Sequence, residues 1–179
     1  MKVEDSKRLS FRLMSPEDNQ LLWELDQDPE VMHFINGGKP SSMEDINHIL
    51  IPRMQAYREE TKGWGIWQVC DKSTQHYLGW ILVRPMNFFT DKPNFVDLEL
   101  GWRFFKKTWG KGYATEAALA IKEAITNQKN VEYVSALAVV DNLASISVMK
   151  KMGMSFVKQY THKDPIGDFD AVHYQMSIK

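Results

Sequence analysis

Polar and apolar residues alternate in "RLSFRL", from Arg8 to Leu13, which predicts a strand. The pattern then changes period. "SPEDNQLLWELDQDP" places Ser15 as an N-cap, Pro16 at the first helical position and Asp18 three residues after the cap, so a helix is predicted that stops at Asp28-Pro29. A second capping pattern, Ser42 to Asp45, opens "SMEDINHILIPRMQAYREE", where Ile46, Ile49, Leu50, Met54 and Tyr57 recur at helical spacing. Pro52 predicts a kink or break within it. The N-terminal third therefore reads as mainly helical.

"GWGIWQVCD" and "HYLGWILVRP" are rich in β-branched and aromatic residues, and the polar "KSTQ" between them predicts a hairpin. A third strand runs from Val96 to Phe104, with Val96, Leu98, Leu100, Trp102 and Phe104 on one face and Asp97, Glu99, Gly101 and Arg103 on the other. "ATEAALAIKEAITNQ" then carries a helical stripe at Ala117, Ala118, Ile121, Ala124 and Ile125, and "VEYVSALAVV" reads as a buried strand. Strand, helix and strand in that order imply a parallel crossover. In "DNLASISVMKKMG", Asp141 or Asn142 is the cap, Lys150 and Lys151 lie in the last turn and Gly153 is the stop. "MSFVKQYTH" and "AVHYQMSIK" close the chain as two strands around a polar loop with Pro165 and Gly167. With no repeat or linker, residues 1–179 form one α/β domain with a mixed sheet.

Composition narrows the function classes. A chain of 179 residues buries roughly 70% of its unfolded surface and needs no staples. The 22 Lys and Arg balance 23 Asp and Glu, and no basic run points to nucleic acid. No apolar stretch approaches the roughly 20 residues of a membrane helix, and the N-terminus lacks an apolar signal region, so a cytoplasmic protein is expected. Cys70 is the sole cysteine, in an apolar segment that reads as a buried structural thiol, and the five histidines show no metal-ligand spacing. The expected partner is a small molecule, with homodimerisation left open.

"WGKGYATEA", Trp109 to Ala117, joins the third strand to its helix. The first N–H groups of a helix lack internal partners and, with the macrodipole, favour an anion. The positions before this helix, Gly110, Lys111, Gly112 and Tyr113, offer none of the Ser, Thr, Asp or Asn caps used elsewhere in the chain. The donors are left for an external phosphate, with the glycines permitting close approach and Lys111 adding charge. A Walker loop fails, because Gly112 follows Lys111 and Phe105 stands where its first glycine belongs; a dinucleotide fingerprint fails at Thr115.

With "ELGW" (Glu99 to Trp102) before this loop and "DNLASISVMKKMGM" after it, the chain resembles the GNAT superfamily of acyl-CoA-dependent N-acetyltransferases. It is similar in layout to the branch that includes the ribosomal-protein N-terminal acetyltransferases. Gly112 and Ala114 match the pyrophosphate loop Q/R-x-x-G-x-G/A, while Trp109 departs from its usual Gln or Arg. The resemblance implies a mostly antiparallel sheet with a central parallel crossover and helices on both faces. It also implies acetyl-CoA as co-substrate, with no metal. Trp102, Arg103 and Phe104 would offer main-chain groups to the pantetheine arm, with the side chains of Trp102 and Phe104 read as core. Residues Trp109, Gly110, Lys111, Gly112, Tyr113, Ala114 and Thr115 would hold the pyrophosphate, and Asn142 the arm. Lys106, Lys107, Lys111 and Lys151 stand as phosphate partners or as solvated charges.

Acyl transfer to an amine needs a neutral amine, a stabilised oxyanion and a stabilised leaving thiolate. Glu99 is the candidate to take the amine proton, directly or through water, against the alternative of a carboxylate paired with a cation. Ser145 matches the N-x-x-S position, where its hydroxyl would donate toward the thiolate, and the helix lacks the later tyrosine of many superfamily members. Asn142 and Ser145 also suit a helix start. Asp170 resembles an acidic position of the branch and reads as fixing its loop. Cys70 has no evident base and is not proposed as a nucleophile. A non-catalytic acyl-CoA-binding module is the competing function, and the acceptor class stays open: a peptide N-terminus, a polyamine, an aminoglycoside-like amine or an amino acid.

Overall fold

The computed structural model describes residues 1–128 and 130–178. Strand β1 (Leu9–Leu13) pairs antiparallel with β2 (Gly65–Asp71), which turns back into β3 (Tyr77–Met86). Asp71 holds the predicted hairpin, its Oδ1 accepting from the backbone N–H of Ser73 and Thr74, both at 3.0 Å. The long strand β4 (Asn94–Phe104) lies antiparallel to β3. Helix α5 (Tyr113–Thr126) then carries the chain across to β5 (Tyr133–Val139), which runs parallel to β4. Helix α6 (Leu143–Lys151) precedes the final hairpin of β6 (Ser155–His162) and β7 (Phe169–Ser177). The seven strands are ordered β1-β2-β3-β4-β5-β7-β6, a mixed sheet with a single parallel pair between neighbours.

The period of two along each strand builds two cores. Trp67, Val69, Ile81, Val83, Leu98 and Leu100 face α5, whose Ala117, Ala118, Ile121 and Ile125 are fully buried. Burial of each such isoleucine contributes about 1.5–3 kcal/mol. On the opposite face, Ile66, Trp80 and Leu82 meet Leu22 of α1 (Asn19–Leu25) together with Ile46 and Met54. Helices cover both faces, so the polar face of β4 is buried as well, leaving Asp97 3% and Glu99 7% exposed.

One local expectation is corrected and another takes a specific form. α1 ends at Leu25 with Asp26 as its C-cap, short of the stop expected at Asp28-Pro29, and that pair instead starts α2 (Pro29–Asn36) within a stretch that the sequence reading left without an element. Asp28 accepts from the N–H of Glu30 at 3.0 Å, Pro29 takes the first helical position, and Gly37 closes the helix at φ 79°. Pro29 suits the first turn of a helix, where its missing N–H costs nothing. The interruption expected at Pro52 takes the form of a π turn just before it, and the helix continues past the proline. The short α3 (Met43–Asp45) runs through a π turn at Ile46–Leu50 into α4 (Ile51–Tyr57), with the N–H of Ile51 bonded to the carbonyl of Ile46. The wider turn accommodates a ring that lacks an N–H. The capping pattern at Ser42 forms as expected, with Asp45 N–H donating to Ser42 Oγ at 3.0 Å. Among the described residues no helix is long and apolar enough to cross a membrane.

Candidate active site

β4 and β5 pair only where Asp97, Leu98 and Glu99 meet Tyr133, Val134 and Ser135; beyond that point the strands part. The N–H of Phe105 donates to the carbonyl of Leu78 in β3 at 3.1 Å, which sets the alternation along the antiparallel ladder. Arg103 therefore directs its main chain toward Trp80, while Trp102 and Phe104 direct theirs into the gap. The Phe104 carbonyl already accepts from the indole N–H of Trp109 at 2.8 Å. Trp109, where the loop departs from its pattern, thus clamps the loop to the end of β4.

Gly110 and Gly112 adopt φ of 73° and 78°, the left-handed region open to glycine at little cost. Gly112 is the N-cap of α5, and among the described residues no side chain caps its first turn. A partner that sequence reasoning missed pins this loop from β1's approach. Arg8 donates through Nη1 to the Lys111 carbonyl at 3.0 Å and through Nε to Glu116 at 2.7 Å, and its guanidinium lies 4.4 Å from the centre of the Tyr113 ring. Burial pushes the Glu116 carboxyl up, but hydrogen bonds from Ser6 and Arg8 prevail and hold it below its ordinary value. No local signal marks a contact between residues 108 positions apart.

A cavity of about 270 Å³ brings most of the predicted cofactor residues together. Its walls include Trp102, Arg103 and Phe104 from β4, the loop residues Trp109, Gly110, Gly112, Tyr113, Ala114 and Thr115, and Asn142, Ser145 and Lys151 from α6 and its cap. Lys111 is not among them. Lys106 pairs with Glu30 at 2.9 Å, and Lys107 sits 5.2 Å from the centre of the Phe105 ring. Asn142, rather than Asp141, caps α6 by accepting from the N–H of Ser145 at 3.1 Å, so its amide NH₂ remains for another acceptor. Phe104 is buried core, and Trp102, less buried, donates from its indole to Ser145 Oγ at 3.2 Å.

Glu99 belongs to a second cavity, of about 440 Å³, that shares Trp102, Arg103, Asn142 and Ser145 with the first. Both of its oxygens accept from Arg84, at 2.9 and 3.0 Å. Burial pushes the Arg84 guanidinium down, but Glu99 beside it more than offsets this and keeps it charged. Two further ion pairs line this cavity. Arg53 meets Asp164 at 2.8 Å, and Arg103 meets the buried Asp26, whose other oxygen accepts from Ser41 at 2.7 Å. On the same face of β4, Asp97 accepts from Ser135 and Gln175, both at 2.9 Å, and burial pushes its carboxyl up. Asp170 lines neither cavity; it is exposed and accepts from Thr161, its cross-strand neighbour in β6, at 2.8 Å. Burial pushes the Cys70 thiol up, away from the reactive thiolate, and Cys70 also lines neither cavity.

The acetyltransferase (GNAT) domain family matches residues 8–155. The uncharacterized protein YkkB of Bacillus subtilis (strain 168) is 31% identical over 156 residues, 84% of each chain. A GNAT-family acetyltransferase from Bacillus anthracis superposes with a TM-score of 0.75 at 23% identity, covering 99% of this chain and 98% of that one. The ribosomal L7/L12 alpha-N-protein acetyltransferase RimL, in complex with coenzyme A, superposes with a TM-score of 0.75 at 13% identity and the same coverage. The chain therefore belongs to the acetyltransferase (GNAT) domain family. It is an acetyl-CoA-dependent acyltransferase.

Proposed function

We propose that the first cavity binds acetyl-CoA, the second binds a primary amine, and the acetyl group passes directly between them in a ternary complex. The observation that carries this reading is the shared wall: Trp102, Asn142 and Ser145 border both cavities. In this reading the free N–H groups at Gly112 to Thr115 receive the pyrophosphate, with Lys151 near the nucleotide end. Trp102 and Phe104 present main-chain groups to the pantetheine arm, and the free amide of Asn142 donates to it. The amine nitrogen attacks the thioester carbonyl, the C–N bond forms and the C–S bond breaks. The proton leaves the amine through Glu99 or a water it holds. Because Trp102 donates to Ser145 Oγ, the Ser145 hydroxyl proton is free to point at the departing sulfur.

Arg84 occupies one lone pair on each Glu99 oxygen and leaves another, so the carboxylate can still accept from an amine or a water. Arg84 keeps both oxygens engaged, so only their remaining lone pairs can take up a proton. Glu99→Gln should therefore lower turnover by about tenfold, less than the ~10²–10⁴ of an unpaired general base. Thiol release under saturating amine, followed across pH, checks this, with acetyl-CoA affinity unchanged. An unaltered pH-rate profile would remove Glu99 from the proton path.

A further inference from the structure

Every carboxylate among the described residues lining the second cavity already has a cationic partner. Arg84 holds Glu99, Arg53 holds Asp164, Arg103 holds Asp26, and Lys163 holds Asp168. Three of these carboxylates are shielded from solvent, with side chains only 9%, 10% and 2% exposed for Glu99, Asp164 and Asp26. An ammonium that enters such a place loses hydration and needs a carboxylate or several acceptors in exchange. The reacting nitrogen avoids this demand, because it is neutral when it attacks. A second or third ammonium on the same molecule does not, and each finds its counter-charge already engaged.

Away from these ion pairs and from Asn142 and Ser145, the lining of the cavity is largely apolar. Ile66, Leu82 and Leu137 line it, together with Ile35 and Ile166, which are 55% and 60% exposed. Large aliphatic side chains left open beside a cavity suit an apolar ligand. We propose that the acceptor carries a single ionisable amine on an apolar body, and that polycations such as polyamines and aminoglycosides are poor substrates. This rests on the second cavity being the acceptor site.

The test is thiol release from saturating acetyl-CoA with 2-phenylethylamine and leucinamide, compared with spermidine and kanamycin. The better of the first two should exceed both polycations in kcat/KM by at least about tenfold, a difference of roughly 1.4 kcal/mol. A polycation that equals or exceeds them overturns the proposal. Release with none of the four overturns the acceptor reading beneath it, and the proposal with it. A second arm uses Arg53→Gln, which leaves the Asp164 carboxylate uncompensated at the cavity. The ratio of kcat/KM for spermidine over leucinamide should rise about tenfold. In a folded variant, an unchanged ratio would overturn the charge argument, and the panel on the unaltered protein does not depend on that variant folding.

Discussion

Replacing Ser145 with alanine lowers kcat by about 10²-fold, the loss that follows removal of one hydrogen-bond donor aimed at developing charge. The fold should survive the change. Asn142 caps α6 through the backbone N–H of Ser145, which alanine keeps, and alanine is a good helix former. The indole of Trp102 loses its acceptor, but it borders the cavity and water can replace the hydroxyl. Steady-state kinetics separate the roles: kcat falls while the Kd of acetyl-CoA stays the same. A raised Kd with kcat unchanged would make Ser145 a binding group only.

The second large effect is on stability. Asp26→Ala leaves the Arg103 guanidinium, with a side chain 13% exposed, without its carboxylate. Breaking a buried pair from one side costs about 3–5 kcal/mol. For a chain of this size that is roughly 6–20 °C in Tm. Asp26 closes α1 just before α2, and Arg103 stands on β4 between the two cavities, so the pair fastens the N-terminal helices over the site. The double variant Asp26→Ala with Arg103→Met removes both charges and should recover much of the loss. If each single change costs the same as on an exposed surface, with no coupling between them, the pair is not a fastening.

How much of this was legible depended on the range of the interaction. The strands, the hairpin at "KSTQ", the α5 stripe and the uncapped glycine loop are written in neighbouring residues, and they form as read. Helix α2 was written there too, in Asp28, Pro29 and Gly37, but a proline taken as a stop hid a start. The ion pairs were not legible. Arg103 and Asp26 lie 77 positions apart, and Arg53 and Asp164 lie 111 apart, so their meeting depends on how the helices settle on the sheet. Arg84 and Glu99 meet through strand register, and the helices packed on that side turn a polar face of β4 into a buried one. Trp109 showed up in the sequence as a departure; its clamp on the Phe104 carbonyl needed the fold.

In the proposed reaction the loop before α5 holds the phosphates of acetyl-CoA. Thermal denaturation with and without acetyl-CoA, on the unaltered protein and on Gly112→Asp, tests it most directly. Aspartate is among the residues that tolerate the left-handed region, and a Cβ at position 112 would meet Arg8 Nη2 at 3.6 Å, an ordinary contact. The variant should fold and place a carboxylate where the phosphate belongs. At about a hundred times its Kd, acetyl-CoA should stabilise the unaltered protein by roughly 2.7 kcal/mol. Its affinity for Gly112→Asp should be at least about tenfold weaker, roughly 1.4 kcal/mol. No stabilisation at saturating acetyl-CoA, or equal affinity for the two proteins, would contradict the account.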